Sequence, residues 1–176
     1  MPLDPFVVGV ARLRTQQGAT TNVVVNGLFD PTGDLAATSP GESYVPDGDE
    51  VSFDGELEST SDGVVAAGIV RGRWRGTCRR CATTVGGAIE VAVRERFIEG
   101  ADPDRDDAYR LDGDFVDLGP LVRDAVVLEL PLAPLCTEDC RGLCAQCGSD
   151  LNAGACGCEA PIDPRWATLD VLRRPE

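Results

Sequence analysis

Histidine and lysine are both missing from this 176-residue chain, and each absence removes a class of chemistry. Without histidine there is no imidazole to serve as the usual general base, and no usual non-thiolate zinc ligand. Without lysine every base is an arginine, and sixteen of them stand against thirty acids, a net charge of −14. A surface so acidic repels phosphate backbones in general, so nucleic-acid contact requires a local basic patch or a protein intermediary. Long apolar runs are missing too: no stretch approaches the ~20 residues of a membrane span. The first residues carry no basic segment, and the apolar run at 6–11 is too short for a signal peptide, so a cytoplasmic protein with reduced thiols is expected.

Cysteine is abundant by contrast. Six of the eight lie within the 23 residues 136–158, and Cys78 and Cys81 form an isolated CxxC far upstream. A structural Zn²⁺ takes four thiolates in a tetrahedron, and a short CxxC turn points two sulfurs at one ion. Cys144, Cys147, Cys156 and Cys158 make a complete local set, with Gly148 letting the backbone bend as it leaves the knuckle. Cys136 and Cys140 lack local partners, and so do Cys78 and Cys81. The expectation is that these two pairs meet in a second site, giving two structural zinc ions. Disulfides would suit an oxidising compartment. A thioredoxin-like redox CxxC expects a strand-to-helix context, whereas Cys78-Arg79-Arg80-Cys81 sits between two strand-like runs.

Strand signals dominate the first half. A β-branched run at 22–27 ends in Asn-Gly, and residues 29–49 are rich in Pro, Gly, Ser and Asp and read as loop. Residues 51–58 alternate, a turn follows at 61–63, and 64–75 and 88–97 form further strand runs, together an antiparallel meander or small barrel. Arg71, Arg73 and Arg75 occupy alternate positions, so a strand sets all three on one face, and Arg79 and Arg80 extend the cluster. The cluster fits RNA or ribosome contact, and equally a solvated strand face neutralised by acids.

Residues 99–114 are acidic and read as a loop that does not fit an EF-hand. Its clustered Asp102, Asp104, Asp106 and Asp107 raise the thought of a two-metal nuclease, but a loop gives them no rigid support. Asp117 then reads as an N-cap, with Pro120 in the first turn and Leu118, Leu121, Val122, Ala125 and Leu128 at helical spacing. Pro131 and Pro134 stop this helix before the cysteines. A second short helix is expected where Asp163 and Pro164 precede Trp166, Leu169 and Leu172, with Trp166 packed on the cysteine module. The resulting fold class is α+β: a β-rich part at 1–114, then a bridging helix and C-terminal cysteine-rich zinc module at 115–176, forming one compact unit.

From about residue 112 onward the chain resembles the YceD family of large ribosomal RNA subunit accumulation proteins. The resemblance is carried by Asp117-Leu118, Leu121-Val122-Arg123-Asp124, the run from Leu130 to Cys144, Cys147-Gly148, Leu151-Asn152 and Asp163-Pro164-Arg165-Trp166, with Cys78-Arg79-Arg80-Cys81 as the central knuckle. It implies a small bacterial cytoplasmic protein, not an enzyme, that supports accumulation or processing of 23S ribosomal RNA. The implied partners are 23S ribosomal RNA or its precursor, and large-subunit assembly intermediates or ribosomal proteins, without membrane or small-molecule substrate. Two other classes remain in view: an acidic, zinc-bearing adaptor for basic ribosomal proteins, and a thiol redox enzyme.

Overall fold

A computed structural model describes residues 4–29, 43–102, 107–158 and 165. Among them one eight-stranded sheet curls into a half-barrel around a single α-helix. The strands are β1 (Val7–Gly9), β2 (Thr20–Leu28), β3 (Ser43–Tyr44), β4 (Glu50–Ser59), β5 (Gly63–Thr77), β6 (Thr84–Glu99), β7 (Tyr109–Asp112) and β8 (Phe115–Asp117), followed by α1 (Gly119–Glu129). The spatial order is β1-β8-β7-β6-β5-β4-β2, and β3 joins β5 beyond the end of β4.

Alternation explains the long strands. Val51, Phe53 and Leu57 of β4, Val64, Ala66 and Val70 of β5, and Ile89 and Phe97 of β6 are buried, and α1 sets Leu121, Val122 and Val126 against them. Each fully buried side chain of this size contributes about 1.5–3 kcal/mol. Gly55 and Gly68 face one another across β4 and β5. A Cβ on Gly68 would lie 2.5 Å from the Asp54 carbonyl oxygen and 2.9 Å from the Phe53 ring, so the absence of side chains is what lets Phe53 cover the pair.

Several expectations are corrected. The sheet is mixed, because β6 and β7 pair in parallel at Phe97–Tyr109, Ile98–Arg110 and Glu99–Leu111. The acidic segment contains β7: Tyr109 stacks on Phe97 with ring centroids 5.3 Å apart, and Leu111 is buried. The Pro/Gly-rich segment before β4 holds β3, and the apolar start of the chain forms β1. These strands have two to four residues, too short for a period of two to emerge. In α1, Leu128 is 85% exposed and Val126 is buried instead, since the stripe facing the sheet turns toward 118, 122 and 126. Asp117 does accept a 2.9 Å hydrogen bond from the Gly119 N–H, but from one position outside the residue that directly precedes the helix, Leu118.

Among the described residues no helix is long and apolar enough to cross a membrane. The expected tail helix, Trp166 included, lies outside the described residues, as do Asp104 and Asp106 of the acidic cluster.

Candidate metal centre

The turn between β5 and β6 is a knuckle. The Cys78 N–H donates to Thr83 O at 2.8 Å and the Ala82 N–H to Cys78 O at 2.9 Å, with Ala82 at φ 58°. This curl turns Cys78 and Cys81 inward, 1% and 7% exposed. After α1 the two prolines lead the chain back across the same turn, where the Arg79 N–H donates to Pro134 O at 3.0 Å. Cys136 and Cys140 arrive opposite: the sulfurs of Cys78 and Cys140 are 3.8 Å apart, and those of Cys81 and Cys136 are 3.5 Å apart. Val85 and Leu135 pack on the cluster.

A second knuckle follows. Gly148, at φ 71°, donates its N–H to Cys144 O at 2.9 Å, and the Cys144 N–H donates to Ser149 O at 2.9 Å. Cys144 and Cys147 thereby meet Cys156 and Cys158. In each group of four the Sγ atoms all lie within 4.8 Å of one another.

The donor sets fit a thiophilic divalent ion. A Zn–S bond of ~2.3 Å in a tetrahedron puts sulfurs about 3.8 Å apart, close to the 3.8 and 3.5 Å found in the first cluster. Disulfide sulfurs would stand ~2.0 Å apart, and all eight cysteines are free thiols. The thiols hold their protons unequally. Burial pushes the Cys78 thiol up, but the backbone N–H groups of Cys81, Arg80 and Cys136 outweigh it and bring it to about 6. Cys136, hydrogen-bonded to the sulfurs of Cys140 and Cys81, is pushed up to about 12. The Ser149 hydroxyl and N–H bring Cys147 down to about 6, whereas sharing protons with Cys147 and Cys156 raises Cys158 to about 12. Four crowded thiols cannot all ionise unless a cation joins them.

Two residues knit the knuckles together, and sequence reasoning had not given either that part. The Arg80 guanidinium donates to Cys140 O at 2.8 Å and Glu138 O at 3.4 Å, and Arg80 O accepts the Leu143 N–H at 3.0 Å. Asn152 accepts the Arg141 N–H at 2.8 Å and turns its Nδ2 toward the Cys140 sulfur at 3.5 Å. Its spacing carries no signal of this bridge. An amide aimed at a thiolate orients it and tempers its charge.

The five arginines singled out from sequence divide. Arg71 lies between Glu90 at 3.1 Å and Asp54 at 3.7 Å, the neutralised strand face that was one of the two readings. Arg80 is engaged as described. Arg73, Arg75 and Arg79 are exposed.

A sequence model described as large ribosomal RNA subunit accumulation protein YceD matches residues 66–173. An uncharacterised protein of Mycobacterium tuberculosis is 35% identical over 181 residues, covering 98% of this chain and 84% of the relative. An uncharacterised protein of Mycobacterium leprae is 36% identical over 135 residues, 73% of this chain and 62% of the relative. A chloroplastic protein of Arabidopsis thaliana, named large ribosomal RNA subunit accumulation protein YCED homolog 1, is 34% identical over 59 residues, 33% of this chain and 18% of its own length. No solved structure matches the chain. The matched segment spans β6, α1 and both cysteine knuckles, and on that match the chain belongs to the YceD family of large ribosomal RNA subunit accumulation proteins.

Proposed function

We propose that this protein is a non-enzymatic, cytoplasmic ribosome-biogenesis factor that supports accumulation and processing of 23S ribosomal RNA and assembly of the large subunit. In this reading Cys78, Cys81, Cys136 and Cys140 hold one structural zinc ion, and Cys144, Cys147, Cys156 and Cys158 hold another. Bound there, zinc supplies a cross-link, because a closed four-thiolate shell leaves no position for water or substrate. The observation that carries the reading is that the family match runs through both four-thiol clusters, so the cysteine framework and the ribosomal name belong to the same segment.

The test is the ratio of mature 23S to 16S ribosomal RNA, with precursor ends mapped, in cells depleted of the protein. A fall in 23S or a rise in its precursors, with 16S unchanged, is the expected result. An unmoved ratio and normal precursor ends would overturn the reading.

A second reading rests on the charge of −14: an acidic adaptor holding basic ribosomal proteins. Salt-sensitive capture of large-subunit proteins from RNase-treated extract would favour it.

A further inference from the structure

The outward face of β4, β5 and β6 carries arginines that differ in what stands opposite them. Arg71 pairs across the sheet with Glu90, and Arg94 reaches Glu58 at 3.8 Å. Arg73 stands opposite Ala88 and Arg75 opposite Gly86, residues too small to cover or neutralise a guanidinium. Among the described residues neither arginine has an acidic partner. On the other side of β5, Tyr44 of β3 lies directly opposite Arg75. Its neighbour Ser43 is buried and donates its hydroxyl to Pro131 O at 2.7 Å, so Tyr44 is turned outward onto the arginine face, 50% exposed. A cavity of about 330 Å³ lies at this end of the β5–β6 hairpin, lined by Arg73, Trp74, Arg75, Thr84, Gly86 and Gly87 among others, with Tyr44 outside it.

We propose that this face binds a single-stranded RNA segment, with a base stacked on Tyr44 and the flanking phosphates held by Arg73 and Arg75. The assignment rests on the ribosomal-RNA reading above and gives it a place on the molecule. Two guanidinium groups with no acidic partner among the described residues make a local cationic spot in a strongly acidic chain, which selects an anionic ligand and repels a cationic one. The half-exposed ring beside them narrows the choice further. An acidic peptide would match the charges but has no use for an aromatic platform, whereas every nucleobase has a π-face that stacks on one. A base can reach that ring only when it is free of a helix, since the bases of an A-form duplex are stacked on each other. The small floor made by Gly86 and Ala88 lets a backbone approach the sheet.

The test uses the full-length, metal-replete protein and a short fluorescein-labelled oligouridylate, with anisotropy read across a salt series. The single strand should bind and a blunt RNA duplex should bind more weakly. Tyr44→Ala should weaken binding about tenfold, and Tyr44→Phe, which keeps the ring, should recover most of it. Arg73→Ala with Arg75→Ala should reduce the slope of log affinity against log salt by about 1.4, at ~0.7 for each phosphate contact to a single strand. Arg94→Ala, which removes an ion-paired arginine from the same face, controls for charge alone and should bind as wild type. Unchanged affinity in Tyr44→Ala, an unchanged salt slope in the double arginine variant, or a polyglutamate peptide competing as well as RNA would each overturn the proposal. Complementation separates this from the broader reading. If depletion lowers 23S ribosomal RNA and the Tyr44→Ala, Arg73→Ala, Arg75→Ala triple variant restores it fully, this face is wrong and the ribosomal role stands. If depletion leaves 23S unchanged, the ribosomal role is wrong and the RNA site loses its rationale with it.

Discussion

Replacing Cys140 by serine removes one ligand from the buried cluster and asks what holds the chain after α1 in place. Cys140 is 2% exposed, with its sulfur 3.8 Å from that of Cys78. Apart from sulfur, the hydrogen bonds clasping this end of the chain to the β5–β6 turn are those from Arg79 N–H to Pro134 O, from Leu143 N–H to Arg80 O, and from the Arg80 guanidinium to Cys140 O and Glu138 O. At ~0.5–1.5 kcal/mol each they contribute about 2–6 kcal/mol. Apolar burial adds little, since Leu143 is 42% exposed. A structural zinc ion contributes about 10–16 kcal/mol in zinc-finger peptides, so the metal outweighs the clasp. On the proposed assignment, mass spectrometry should find two zinc ions per chain in the native protein and one in Cys140→Ser, and protease should cut the variant rapidly within 136–158. The sheet should survive, because Phe53, Leu57 and Phe97 belong to an apolar cluster separate from the one around Cys78, Cys81 and Cys140. Two ions retained would refute the ligand assignment. Loss of the strand dichroism together with the tail would refute the separation of the two cores.

Phe53→Ala is the converse experiment: emptying a fully buried ring site should cost about 3–5 kcal/mol in denaturant unfolding and leave the zinc count unchanged. Gly142→Ala should cost at least about 1–2 kcal/mol, because Gly142 sits at φ 76° and its new Cβ would lie 2.8 Å from Arg80 O. The variant should release metal at lower chelator concentration. Tyr109 donates to Asp124 Oδ2 at 2.8 Å, and burial first, then this hydrogen bond, holds its hydroxyl well above the usual tyrosine range. Since the folded value is raised, the stabilisation is complete below pH ~10 and declines as alkali ionises the unfolded chain. Tyr109→Phe should lose about 1 kcal/mol at neutral pH and show a flatter alkaline decline in urea titrations.

The long strands β4, β5 and β6 were legible because alternation over ten or more residues leaves few other structures available. The eight cysteines were legible as two fours because thiolate chemistry restricts their partners more tightly than any periodicity does. What stayed hidden depended on pairing across the chain. β7 is a four-residue strand in an acidic stretch, and it exists because Phe97, twelve residues upstream, offers its edge and its ring to Tyr109. Asn152 looks like any polar turn residue until Cys140 is brought against it. The arginines show the same division most clearly. Their spacing of two placed Arg71, Arg73 and Arg75 on one face, but what each can do is decided one strand away, where the register sets Glu90, Ala88 and Gly86 opposite them in turn. Periodicity within a strand assigns the face, and pairing between strands decides whether a charge on that face is already neutralised. A shift of β6 by two residues would hand Glu90 to Arg73, setting Ala92 opposite Arg71 and Ala88 opposite Arg75, so that of the pair beside Tyr44 Arg75 alone would lack an acid across the hairpin. The register of the β5–β6 hairpin runs from Gly63–Ile98 to Thr77–Thr84 and closes in the Cys78–Cys81 knuckle. A metal ion held by the four thiols at the hairpin's end would fix the pairing on which the arginine face depends.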